Sequence, residues 1–288
     1  MKKVSIYVVM SVLSVVMLCA ACSKDDDTND VTKTVDPGND PNFTIVANSD
    51  AGFKNLNRKV MVFNIPIYAF EGVDDAKLLH AANVMAQYLD NDEDGEIDNS
   101  TIYNSIISNK AFLFMWKTED DMEKMDTSNG VEFGQDLGSD ETNIEWHGSG
   151  HTGSFDAALE EVWHMITNGG HERVYPDVFG SQTGSEISKA MNIARGGSFQ
   201  NPPADYPADA WYTYDDETCD YNCQVGEYLY WTLTSMLGAQ ENRLFEIGNE
   251  WRLNTRELVK TGDPKVFSIF TNPTYVLPTV LPDGTYKH

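Results

Sequence analysis

Three groups of side chains have the types and spacing to do chemistry. The run Asp90-Asn91-Asp92-Glu93-Asp94-Gly95-Glu96-Ile97-Asp98 sets oxygen-bearing side chains at alternate positions, so one loop can wrap a single hard cation. Gly95 permits the sharp turn that brings the Glu96 carbonyl round to the same ion, and Ile97 is the apolar residue that pins such a loop to a core. A plain acidic turn after a helix is the alternative. In Glu160-Glu161-Val162-Trp163-His164, a carboxylate and an imidazole stand one helical turn apart on one face, with a second carboxylate between them. Phe155, Leu159, Val162 and Ile166 form the apolar stripe of that helix, and Glu160 and His164 point away from it together, as they also would on a solvated surface helix. Glu227 sits among Val225, Tyr228, Leu229, Tyr230, Trp231, Leu233, Met236 and Leu237. An ionised carboxylate in so apolar a helix is expensive unless it is paired or bound to metal, although in a first turn it can instead face water and complement the helix dipole.

The acidic run resembles the calcium loop of EF-hand and dockerin proteins, which implies Ca2+ held by Asp90, Asp92, Asp94, Glu96 and Asp98. It departs from that pattern at the twelfth position, where Thr101 replaces the bidentate Glu. The second group resembles the H-E-x-x-H motif of zincin metallopeptidases with Glu in place of the first His. In that family the outer residues bind zinc and the middle Glu activates a water at the metal. Carried over by position, Glu160 and His164 become Zn2+ ligands and Glu161 the general base. In the gluzincin branch a Glu on a later helix is the third ligand, which implies that role for Glu227. His171 lies seven positions after His164, one too many for the metzincin third histidine, and is a reserve ligand. His147 and His151 can approach a metal or a substrate from the preceding loop, and no role falls to His80, off the apolar stripe of its helix, or to His288.

The elements that must carry these groups follow from periodicity. Lys59 to Phe70 predicts a strand broken near Pro66, and Asp74 to Leu89 a helix. Ala111 to Trp116 predicts a second strand and Thr118 to Met125 a short acidic helix. Asn129 to Gly153 reads as Gly-rich loop with one strand around Asn143 to Trp146. Phe155 to Thr167 is the motif helix. A long loop then runs through Tyr175-Pro176 and Asn201-Pro202-Pro203. Gln224 to Leu237 is an apolar helix, Asn242 to Leu253 another, and Asp263 caps a last helix with Pro264 at its first position. Few strands and several long helices favour an α+β fold, helix-rich, and the motif resemblance implies a zincin-like one.

The N-terminus addresses the chain. Lys2 and Lys3 precede an apolar run from Val4 to Leu18, too short to span a bilayer. Ala20-Ala21-Cys22 resembles the lipobox of bacterial lipoproteins, with Cys19 where Leu is usual. Ser23-Lys24-Asp25-Asp26-Asp27 resembles the acidic tag that sends Bacteroidetes lipoproteins to the outside of the outer membrane. These resemblances imply a signal peptide over 1–21, lipidation of Cys22, and a lipid anchor in the outer membrane on the cell surface. Residues 22–45 hold Asp, Asn, Thr, Pro and Gly and form a disordered tether. Residues 46–288 form a single globular domain. Loss of Lys2 and Lys3 takes the formal charge of -25 to about -27. Such a balance repels nucleic acid and suits divalent cations. Outside the cytoplasm, Cys219 and Cys223, four positions apart, are expected to form a disulfide; zinc binding by the pair is the lesser alternative, since no second cysteine pair exists to complete a structural site.

Two functions stay open: a cell-surface zinc hydrolase, most simply a peptidase acting on protein or peptide, and a calcium-stabilised, non-catalytic surface binding protein derived from a metallopeptidase fold.

Overall fold

The computed structural model describes residues 42–122, 124–125 and 134–288. The signal peptide, Cys22 and nearly all of the tether lie outside the described residues.

The β-rich run near residue 60 breaks two residues before Pro66, into a hairpin. β1 (Val46–Ala47) pairs antiparallel with β2 (Arg58–Val62), and β2 with β3 (Ile65–Ala69). The turn falls at Phe63 and Asn64, at φ 46° and 65°, the left-handed pair that a two-residue hairpin turn requires. Pro66 sits inside β3 opposite Met61, and parallel pairing with the next strand begins only at Ile67. Its missing N–H therefore breaks no ladder bond there.

From β3 the chain crosses through α1 (Asp75–Leu89) and α2 (Ser100–Ser108) and returns as β4 (Phe112–Trp116), parallel to β3. α3 (Glu119–Met122) leads to β5 (Gly134–Gly138), parallel to β4 at the sheet edge. The strand expected around Asn143 to Trp146 is instead a turn entering α4 (Glu145–Gly148), closed by a bond from Trp146 N to the Asn143 carbonyl. The mixed sheet has the order β1-β2-β3-β4-β5, which makes the class α+β. β4 is buried on both faces. Leu113 and Met115 join Val60, Ile67 and Leu137 against the helices, while Phe112, Phe114 and Trp116 pack with Tyr68 and Phe70 on the other side.

The rest is helical. α5 (Ala158–Ile166) runs into one π-turn (Thr167–His171). The stretch expected as a long loop holds α6 (Glu172–Val174), α7 (Pro176–Phe179) and α8 (Glu186–Ala194). Local caps make these helices: Pro176 takes the first position of α7, and the Ser185 hydroxyl accepts from Ser188 N at 3.0 Å. α9 (Tyr221–Met236) begins three residues before the expected Gln224. Of the helix expected over Asn242 to Leu253 only α10 (Leu244–Ile247) forms, because Gly248 ends it and Trp251 is drawn into a backbone bridge with Tyr212. α11 (Arg256–Gly262) and α12 (Pro264–Phe270) close the chain, with Asp263 capping Val266 N. No described helix is long and apolar enough to cross a membrane.

α5 is the centre of this arrangement. All of its residues are buried, against β5, α1 and α9, so the face carrying Glu160 and His164 looks into protein and not into water.

Candidate metal centre

Two helices build the site, and each is fixed at its N-terminus. Ahead of α5, Asp156 Oδ1 accepts from Asn143 N at 3.0 Å and from Ala158 N at 3.3 Å. Burial opposes ionisation of that carboxyl, but hydrogen bonds from His147 and His80 hold it well below the usual carboxylate range. The first turn of α5 is tied to α1, where the Tyr88 hydroxyl donates to the Leu159 carbonyl at 2.9 Å. Ahead of α9, Asp220 Oδ1 accepts from Asn222 N and Cys223 N, both at 3.0 Å. A disulfide between Cys219 and Cys223, with Cα atoms 5.3 Å apart, spans that cap. Starting the helix at Tyr221 puts Glu227 in its second turn, inside the protein, and not in a water-facing first turn.

These constraints bring Glu160, His164 and Glu227 together. Each offers one ligand atom, and the three atoms lie within 4.8 Å of one another. His164 Nε2 is 3.9 Å from Glu160 Oε1 and 3.7 Å from Glu227 Oε1. Zinc held at about 2.0–2.2 Å by such donors sets them roughly 3.4 Å apart, so the cluster needs only a small contraction to close on an ion. The residues are 5%, 4% and 8% exposed respectively. Two carboxylates and an imidazole withdrawn from water at one point form an N/O donor set that zinc accepts, so the residues fit that ion.

Glu161, one position on, is also buried and turns towards the sheet edge, where its Oε2 accepts from Gln135 Nε2 on β5 at 2.7 Å. Tyr214 has no counterpart in the sequence argument. Burial, followed by the charges of Glu227 and Glu160, pushes its hydroxyl far above the usual tyrosine range, so it keeps its proton beside the cluster. It lies in the irregular segment before α9, where periodicity carries no signal.

The other candidates separate into three places. Asp90, Asp92 and Asp98 form a second cluster within the same spacing, and Asp94 and Glu96 stay outside it. Gly95, at φ 89°, donates its N–H to Asp90 Oδ2 at 2.8 Å, and Ile97 is buried. His171 joins no metal group. Its ring lies in an aromatic pocket with centroids 5.3 Å from those of Trp163 and of Phe179, because the π-turn rotates it away from the Glu160 face. Burial pushes it down to about 4, with the Ile166 carbonyl offsetting part of the effect.

His147 meets a partner that was assigned no role. His80, His147 and Asp156 make a third cluster. His151 is stacked on Trp146 at 4.3 Å and stays outside that group. His80, off the apolar stripe of α1, is buried all the same, because α1 is covered on more than one side.

No protein family, no curated protein and no solved structure matches this chain.

Proposed function

We propose that this protein is a zinc-dependent hydrolase of the cell surface, most simply a peptidase with a zincin-like fold, anchored in the outer membrane by lipid on Cys22. The observation that carries the reading is the convergence of Glu160 and His164 from α5 with Glu227 from α9, three ligand atoms within 4.8 Å of one another in a buried place. Zinc, held by Glu160, His164 and Glu227, would supply Lewis-acid chemistry for hydrolysis of a carbonyl substrate. Glu161, adjacent to Glu160 and with its carboxylate held by the Gln135 amide at the sheet edge, would be the general base. The Tyr214 hydroxyl, which keeps its proton under the charges of Glu227 and Glu160, would be available as a donor to a carbonyl oxygen that gains charge. Calcium in the loop of Asp90, Asp92, Asp94, Glu96 and Asp98 is structural, since that loop closes the end of α1.

Metal analysis with turnover of a mixed peptide substrate tests this. The wild type is expected to carry zinc and cleave, His164→Ala to lose both, and Glu161→Gln to keep the metal and lose turnover. A zinc-free wild type, or undiminished cleavage by Glu161→Gln, would overturn it. Fractionation tests the anchor: Cys22→Ser should leave the membrane, and unchanged membrane association would sink that part.

The second reading is a calcium-stabilised surface binding protein without catalysis. It is favoured by the replacement of an imidazole with a carboxylate at Glu160, since added negative charge makes a water at the metal less acidic. On that reading ligand binding survives both His164→Ala and Glu161→Gln.

A further inference from the structure

The cluster of His80, His147 and Asp156 belongs neither to the acidic loop nor to the Glu160 site. His80 Nε2 lies 2.7 Å and His147 Nε2 2.8 Å from the same atom, Asp156 Oδ2. Two imidazoles from α1 and α4 thus aim at one carboxylate oxygen, while the other oxygen is occupied by the backbone N–H groups of Asn143 and Ala158. The carboxylate cannot swing away from the rings without giving up its bonds to Asn143 N and Ala158 N at the entry to α5. The rings are seated as well. Trp146 stands edge-on to His147 with centroids 5.0 Å apart, and Gly284 of the C-terminal segment lies so close to His80 that an added Cβ would sit 2.1 Å from Nδ1.

Charge sets this cluster apart from a plain capping network. Asp156 is 0% exposed, and its ion pairs among the described residues are with these two rings and with no Lys or Arg. Asp156 thus places a carboxylate in the core just ahead of Glu160 that no Lys or Arg among the described residues balances, in a protein whose formal charge is already -25. A divalent cation removes that deficit.

We infer that His80, His147 and Asp156 form a second transition-metal site, of zinc type, distinct from Glu160, His164 and Glu227. Two imidazole nitrogens and one carboxylate oxygen select an ion of that class over calcium or magnesium, which prefer all-oxygen sets. Without an ion, N–H···O bonds hold the three groups together. On ligation each ring carries its proton on Nδ1 and offers the Nε2 lone pair, with no change of oxidation state. Donors about 2.0–2.1 Å from an ion sit roughly 3.3 Å apart, so the cluster opens by about half an ångström, which small rotations of the two rings supply. Backbone N–H groups that fix the ligating carboxylate play the orienting part that outer partners play in metal sites.

The test is the zinc content of the full chain, stripped with chelator and dialysed against zinc with calcium in excess. The wild type is expected to hold two equivalents, His164→Ala one, and His164→Ala with Asp156→Asn none. Asn keeps a side-chain oxygen that can accept from Asn143 N and Ala158 N, so the entry to α5 is preserved in that variant. A wild type with one equivalent that survives His164→Ala but not Asp156→Asn supports this site and removes the Glu160 site. If His80→Asn and Asp156→Asn leave the zinc content of both backgrounds unchanged, the cluster is a hydrogen-bonded anchor only and the inference falls. Should Asp156→Asn fail to fold, imidazole 15N spectra of the wild type decide. Zinc should move His80 and His147 to the Nδ1–H tautomer, and spectra of these two rings indifferent to zinc would overturn the proposal.

Discussion

His171 offers a quantitative check on how the π-turn is packed. Its ring is buried between Trp163 and Phe179, and its pKa falls from 6.5 to about 4. A histidine kept neutral by the fold but free to take a proton when unfolded makes stability depend on pH with a definite sign. Between the two pKa values the unfolded chain binds more protons, so stability is complete above about 6.5 and is lost as pH falls towards 4. At about 1.4 kcal/mol per pKa unit, the loss amounts to roughly 3 kcal/mol. Carboxylates contribute over part of the same range, so the wild type alone cannot isolate the effect. His171→Leu removes the titrating group at similar volume. Urea unfolding of both proteins from pH 7.5 to 4 should show the difference in stability shifting by roughly 3 kcal/mol in favour of the variant as pH falls. Parallel curves across that range would refute the buried, neutral histidine and with it the placement of the ring in this pocket.

Calcium at a hundredfold excess over its dissociation constant should stabilise the folded state by about 2.7 kcal/mol, visible as a raised melting temperature that Asp90→Asn abolishes; melting indifferent to millimolar calcium would count against the site. The same ion should slow hydrogen exchange over 279–284, because Asn91 Oδ1 accepts from Thr279 N and Val280 N and Gln87 Oε1 from Asp283 N and Gly284 N. Gly170→Ala should cost about 1–3 kcal/mol by overpacking, since an added Cβ would meet Ile102 Cγ2 of α2 at 2.6 Å; chemical denaturation measures it, and a neutral result would mean that the π-turn stands off from α2. Alkylation without reduction should label neither Cys219 nor Cys223, whereas two labelled thiols would rule out the disulfide.

What was legible in the sequence was whatever one element carries by itself. Glu160 and His164 share a face because helical spacing puts them there, and Glu227 stood out because charge in an apolar helix needs a reason. The acidic loop was legible because its turn, its glycine and Ile97 are local. What was not legible depends on contacts between segments. β5 is Gly-Gln-Asp-Leu-Gly, with no β-branched residue, and becomes a strand only by pairing with β4. The hairpin was hidden because β2 and β3 run together as one apolar stretch, yet twelve residues is long for a strand, and that length was the available clue. No role falls to His80 from the sequence because it lies off the apolar stripe of its helix, and the segments of His147 and Gly284 that meet it come from far along the chain.

All three clusters hang on one pair of helices, and this bears on how they work. α1 carries His80 in its second turn and delivers Asp90 at its C-terminal cap, while α5 receives Asp156 at its N-terminus and carries Glu160 and His164 along its length. The two helices are joined directly, by the Tyr88 hydroxyl on the Leu159 carbonyl at 2.9 Å and by His80 on Asp156 at 2.7 Å. Glu160 and His164, four residues apart, lie along one line of α5, and Asp156 stands two residues before its first residue, bonded to Ala158 N. A shift of α5 along its axis that opened the Glu160 site would therefore also pull Asp156 from the imidazoles. At the other end, the Tyr286 hydroxyl bonds Asp90, which fastens the C-terminal segment to the acidic loop over the same face of α1. Rigidity at the Glu160 site is thus set up outside it, by groups that hold the ends of α1 and α5. That arrangement suits chemistry that depends on holding donor atoms within a fraction of an ångström.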